Sequence, residues 1–111
     1  MNFDSYLTEQ CKLITKEVKD HPLSVQFREP LSHQATKAFM DTYLAVIKCP
    51  MDLTTVQQNL QNNVYKNFQC WANDMLLIFD NAINFNGSSS AIGGIAQYFK
   101  HFFQKRIDKL Y

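Results

Sequence analysis

Apolar residues recur at Phe68, Trp71, Ala72, Met75, Ile78, Phe79 and Ala82, and no other feature of the chain limits its fold as strongly. Steps of three and four put them all on one stripe of a helix, which must be covered by other elements to leave water. No run of alternation long enough for a sheet occurs elsewhere, so the cover must itself be helical. Asn86 lies one turn beyond Ala82. At about 100° per residue it falls near the line of the stripe, and its amide is expected to point into the end of the apolar core. An amide held away from water needs partners for two N–H donors and a carbonyl, at roughly 1–3 kcal/mol if they are missing. Either the protein or a ligand supplies them. A helix C-cap with only internal bonds is the structural alternative, one to which asparagine is suited.

This helix is expected from about Asn67 to Phe85, broken by Gly87-Ser88-Ser89-Ser90. Residues 3 to 20 form another, with Phe3, Leu7, Cys11, Ile14 and Val18 on one face and Lys12, Lys16 and Lys19 outside it. Asp4 is its expected N-cap, and Pro22 stops it because the residue before proline disfavours the α region. Asp52 can cap a short helix from Leu53 to about Asn62, with Leu53, Val56 and Leu60 inward. The last helix starts near Ala91, capped by Ser89 or Ser90, along a seam of Ile92, Ile95, Phe99, Phe102 or Phe103, Arg106 or Ile107, and Leu110. Gly93 and Gly94 in its first turn cost about 1 kcal/mol each against alanine, which suggests a close approach to the backbone there.

Between Pro22 and Pro50 the periodicity fails, and only Tyr43-Leu44-Ala45-Val46-Ile47 is continuously apolar. Connections beyond about 12–15 residues are usually functional or disordered. Disorder fits poorly with Val25, Phe27, Leu31, Phe39, Met40, Tyr43, Val46 and Ile47, so an ordered loop packed on the helices is expected. The fold class is all-α, a four-helix bundle with one long ordered first connection, in a single domain over residues 1–111.

Charge and composition exclude several functions. A formal net charge of +1 leaves no electrostatic footprint for duplex nucleic acid, and Lys100, Lys105, Arg106 and Lys109 suit the dipole at a helix C-terminus. No signal peptide or membrane-length apolar run is present, so a soluble intracellular chain is expected. Cys11, Cys49 and Cys70 lack C-x-x-C spacing and read as reduced thiols. His21, His33 and His101 are scattered, no Glu-x-x-His pair exists for a bundle metal site, and no Ser or Cys sits in a nucleophile context. No catalytic residue, metal or cofactor is expected.

Two segments carry a resemblance. Tyr43-Leu-Ala-Val-Ile-Lys-Cys-Pro-Met-Asp-Leu-Thr-Thr-Val56 is similar to the Tyr-x-x-x-Ile-x-x-Pro-Met-Asp-Leu segment of bromodomains, and Asn81-Ala-Ile-Asn-Phe-Asn86 to their Asn-x-x-x-Tyr-Asn segment. The resemblance covers nearly the whole chain. It implies a left-handed four-helix bundle whose two inter-helix loops form a pocket for acetylated lysine in histone tails or other chromatin proteins. It further implies a nuclear, monomeric reader linked to transcription regulation, without enzymatic activity. Asn86 then matches the asparagine that donates to the acetyl carbonyl, and Tyr43 the tyrosine that reaches the same oxygen through water. Phe27 matches the last residue of the Trp-Pro-Phe shelf, Leu31 a loop aliphatic of the pocket, and Ile92 the gatekeeper position at its mouth.

Two departures from that pattern matter. Val25 and Gln26 stand in place of the shelf's Trp and Pro, and Phe85 in place of the Tyr before the asparagine. The first removes an apolar ledge; the second keeps an aromatic wall and loses a hydroxyl. No charged residue occurs between Asn81 and Phe99, as suits a neutral amide, and no carboxylate is expected in the pocket to meet an ammonium. The reading from another class is a degenerate bromodomain that serves as a protein-interaction scaffold, with Val25 and Gln26 as its signs.

Overall fold

The computed structural model describes residues 4–110 and is helical throughout: α1 (Ser5–Asp20), α2 (Lys37–Val46), α3 (Leu53–Gln61), α4 (Phe68–Asn86) and α5 (Ala91–Asp108). Side chains mark where the bundle helices begin. Asp4, Asp52, Asn67 and Ser90 cap α1, α3, α4 and α5, accepting from the N–H of Leu7 at 2.8 Å, Thr55 at 2.8 Å, Cys70 at 3.0 Å and Gly93 at 2.9 Å. Each bond satisfies a donor that the helix itself leaves orphaned. Phe3, assigned to the first stripe from the sequence, lies outside the described residues.

α1, α3, α4 and α5 make the bundle, with α4 against α5 as its most extensive pairing. Their stripes meet in a core where Cys11, Ile14, Val18, Leu53, Val56, Trp71, Met75, Phe79, Phe99 and Phe103 are fully buried. Phe79 stacks on Phe99 at 5.5 Å and Trp71 meets Phe103 edge-on at 5.2 Å, so an aromatic ladder joins α4 to α5. Such pairs contribute about 0.5–1.5 kcal/mol beyond the area they bury. Thr15 is the polar rung. Its hydroxyl accepts from Trp71 Nε1 at 3.0 Å and donates to the Cys11 carbonyl at 2.7 Å, which satisfies a buried indole N–H.

The α5 seam runs through Gly93, Ala96, Phe99, Phe103 and Ile107. Ile92 and Ile95, placed on that seam from the sequence, are only partly buried, because the buried line runs one residue later. The C-terminal cations are partly committed: Arg106 grips Glu17 of α1 at 2.8 and 3.0 Å, and Lys100 pairs with Asp80 of α4 at 2.7 Å.

The long first connection is not loop throughout, as the sequence suggested. It holds 3-10 turns at Pro22–Phe27 and Leu31–His33, and the helix α2. α2 has no buried residue, so it leaves no inward stripe for periodicity to detect. The available signal was weaker: Thr36 as N-cap, accepting from Phe39 N–H at 3.1 Å, and Phe39, Tyr43 and Ile47 at steps of four.

Candidate functional site

A cavity of about 220 Å³ opens where this connection meets the turn between α4 and α5. Phe27 forms its inner wall. That ring is 6% exposed and stands edge-on to Phe79 at 5.5 Å and Phe99 at 6.1 Å, so the core itself holds it in place. The opposite wall is a cluster of three rings: Tyr43 to Phe85 at 4.8 Å, Phe39 to Phe85 at 5.7 Å, and Phe39 to Tyr43 at 6.2 Å. Leu31, Met51, Ile78, Ala82 and Ile92 complete an apolar lining.

Asn86 is the last residue of α4 and lines this cavity. It is exposed, which corrects the expectation of an amide sunk in the core: the buried stripe ends at Ala82, and Asn86 continues its line into open space. One N–H of Asn86 Nδ2 donates to the Ala82 carbonyl at 3.1 Å. The structural alternative is therefore partly realised. The other N–H and the amide oxygen bond no group among the described residues. Tyr43 supplies the second polar group: its hydroxyl also bonds no described residue, and burial pushes its phenol up from the ordinary 10.0, which keeps the O–H intact as a donor.

The backbone behind Asn86 is tightly built. Gly87 has φ +88°, its N–H caps the helix on the Ile83 carbonyl at 2.8 Å, and its own carbonyl receives Ser90 Oγ at 2.7 Å. A Cβ on Gly93 would stand 1.9 Å from that Gly87 oxygen, so Gly93 is required by the close approach inferred from the glycine pair. Gly94 has nothing within 4 Å of its Cβ position, and the inference does not extend to it. On the far side Asn81 Nδ2 donates to the Cys49 carbonyl at 2.8 Å, pinning the Pro50-Met51 segment to α4. Asn81 is 7% exposed, a positioning residue rather than a wall of the cavity.

Of the residues singled out from the sequence, Asn86, Tyr43, Phe27, Leu31, Phe85, Ile92 and Gln26 come together on the cavity. Val25 does not. It sits 57% exposed on the first 3-10 turn, outside the lining, because the turn directs Phe27 inward and leaves Val25 facing water. Glu29, Gln34, Phe39, Met51 and Asp52 line it as well and were not assigned to it. Met51 and Asp52 were within reach through the Pro-Met-Asp segment, and Phe39 through its place one turn before Tyr43. Glu29 and Asp52 also correct the expectation that no carboxylate faces the pocket. Asp52 is occupied by Thr55, whose N–H and hydroxyl reach its two oxygens at 2.8 and 2.7 Å. Glu29 Oε2 accepts from Thr54 Oγ1 at 2.7 Å.

Among the described residues no group of three His, Cys, Asp or Glu side chains could hold a metal ion, and no helix is long and apolar enough to cross a membrane. Cys11, Cys49 and Cys70 are free thiols.

Bundle and cavity together define a helical binding module whose pocket sits at its loop-bearing end. The bromodomain family model matches residues 11–98, and the chain belongs to the bromodomain family, whose fold is that of an acetyl-lysine reader module. It is 34% identical over 96 residues to the mouse protein named bromodomain adjacent to zinc finger domain protein 2B, covering 86% of this chain and 4% of that protein. It is 30% identical over 105 residues to bromodomain-containing factor 2 of Saccharomyces cerevisiae, covering 95% of this chain and 16% of that protein. The chain thus spans a small part of the length of these relatives. Among solved structures it resembles the second bromodomain of Candida albicans Bdf1 bound to an imidazopyridine, with a TM-score of 0.80 and 25% identity over 94% of this chain and 99% of that one.

Proposed function

We propose that this chain is a single reader domain that binds acetylated lysine, in histone tails or other chromatin proteins, through the cavity between its two inter-helix connections, and that it works in the nucleus. The observation that carries this reading is the Asn86 amide at the cavity, with an uncommitted N–H and carbonyl beside the uncommitted Tyr43 hydroxyl. Around them Phe27, Leu31, Phe85 and Ile92 offer apolar surface to the lysine stem. An acetylated lysine is a neutral amide on an aliphatic chain, so its carbonyl can accept from Asn86 while its methylenes leave water against the rings. Tyr43 would meet the same oxygen through a water, as the family resemblance implies.

A free lysine that entered the cavity would bring a charged head to Asn86 and Tyr43 in place of a neutral amide. Its ammonium would surrender hydration worth several kcal/mol beside an amide and a phenol. With Val25 outside the cavity and no Trp ledge, little apolar surface holds the flanking peptide, and affinities of tens of micromolar to millimolar are expected, about −4 to −6 kcal/mol. Calorimetric titration of one peptide in acetylated and unmodified forms tests the reading. Acetylation-dependent binding is expected; equal affinity for the two forms, or none for either in an intact domain, would favour the scaffold alternative.

A further inference from the structure

We propose that Glu29 makes this pocket selective for acetyl-lysines that have a cationic residue close by in the peptide, an inference that rests on the acetyl-lysine reading above. Glu29 lines the cavity and is exposed. Thr54 Oγ1 holds its Oε2 at 2.7 Å, which orients the carboxylate while leaving Oε1 without a partner among the described residues. The backbone supports this orientation, since Thr54 N–H donates to the Arg28 carbonyl at 2.9 Å, tying the start of α3 to the residue before Glu29.

The nearby cations do not neutralise it. Arg28 turns away, its Nε on Ser24 Oγ at 3.1 Å and its Nη2 on the His21 carbonyl at 2.9 Å. Lys37 at the start of α2 pairs with Asp41 at 3.2 Å, and Lys48, just past its end, bonds the Ala45 carbonyl at 2.9 Å. No Lys, Arg or His lines the cavity, whereas two carboxylates do, and Asp52 has both oxygens occupied by Thr55. The entrance therefore has an anionic field with one uncommitted carboxylate oxygen. An acetyl group carries no charge to answer it; a lysine or arginine one or two residues along the same peptide does. The contact also compensates for the missing ledge, through charge rather than apolar area.

The pair forms at an exposed rim, so the gain is modest: about two- to fivefold in affinity, largest at low salt and shrinking once the Debye length falls to about 8 Å near 0.15 M. The test is a calorimetric matrix. Wild type, Glu29→Gln and Glu29→Lys, each checked for an unchanged melting temperature, are titrated with an acetyl-lysine peptide whose neighbouring residues are glycine and serine. The same peptide with arginine at one of the neighbouring positions, and with glutamate there, completes the set. Wild type should favour the arginine peptide over the neutral one, Glu29→Gln should bring the ratio of those two affinities to one, and Glu29→Lys should favour the glutamate peptide. Equal wild-type affinities for the neutral and arginine peptides would overturn the role of Glu29 and leave the acetyl-lysine reading standing. So would an arginine preference that survives Glu29→Gln. Failure of every acetylated peptide, the neutral one included, would overturn both.

Discussion

The two adjacent glycines at the start of α5 offer a sharp test of how the site is built, because one has no room for a side chain and the other has ample room. In Gly93→Ala the new Cβ would lie 1.9 Å from the Gly87 oxygen and 2.9 Å from both the Gly87 carbonyl carbon and Ser90 Oγ. Neither the carbonyl nor the cap can yield cheaply. That carbonyl accepts Ser90 N–H at 3.2 Å and Ser90 Oγ at 2.7 Å, and Ser90 Oγ in turn caps Gly93 N–H at 2.9 Å. Overpacking of this kind costs about 1–3 kcal/mol, and a backbone atom as the obstacle places it at the upper end, near 3. At about 4–8 °C per kcal/mol for a domain of this size, the melting temperature should fall by about 12–24 °C. Gly94→Ala meets nothing within 4 Å and gains helix propensity, so it should raise stability by about 0.5–1 kcal/mol. Paired thermal and urea melts read both. Because Gly87 follows Asn86 directly, Gly93→Ala should also weaken acetyl-lysine binding at temperatures where it remains folded, while Gly94→Ala should not. A Gly93→Ala variant as stable as Gly94→Ala would refute the reasoning.

Asn86→Ala should leave the fold intact, since the residue is exposed and its one internal bond is to Ala82, and weaken an acetylated peptide by roughly 1–3 kcal/mol, about five- to 150-fold in a titration. Thr15→Val keeps the shape but removes the acceptor of the fully buried Trp71 N–H, so urea melts should show a loss of about 1–3 kcal/mol, with Thr15→Ser recovering much of it. Cys11 provides a pH signature: burial raises its thiol from 9.0 to about 12. Above pH 9 the unfolded chain releases this proton before the folded one, so the folded state binds more protons and stability falls as pH rises from about 9 towards 12. Tyr65, raised by burial in the same sense, adds to the fall. Cys11→Ala should flatten part of that slope in melts taken across the range, after allowance for its lower baseline stability; an unchanged slope would assign the alkaline sensitivity elsewhere.

The bundle was legible in the sequence because its information is local. A stripe such as Phe68 to Ala82 records the side of α4 that loses water, and Asp4, Asp52, Asn67 and Ser90 act on N–H groups only three residues away. Val25, Glu29 and the helix α2 were not legible in this way. Their roles depend on which way an irregular connection turns once Phe27 has docked on Phe79 and Phe99, and a helix with no buried residue leaves only a weak periodic trace of its own. Asn86 lies between these cases. The pattern placed it on the line of the buried face, but the core ended one turn earlier, and only the packing of the Tyr43, Phe39 and Phe85 rings across from Phe27 turned that end of the stripe into an open cavity. Periodicity determined which residues face inward; where the interior stops was decided by contacts between residues far apart in the chain, which no local pattern encodes.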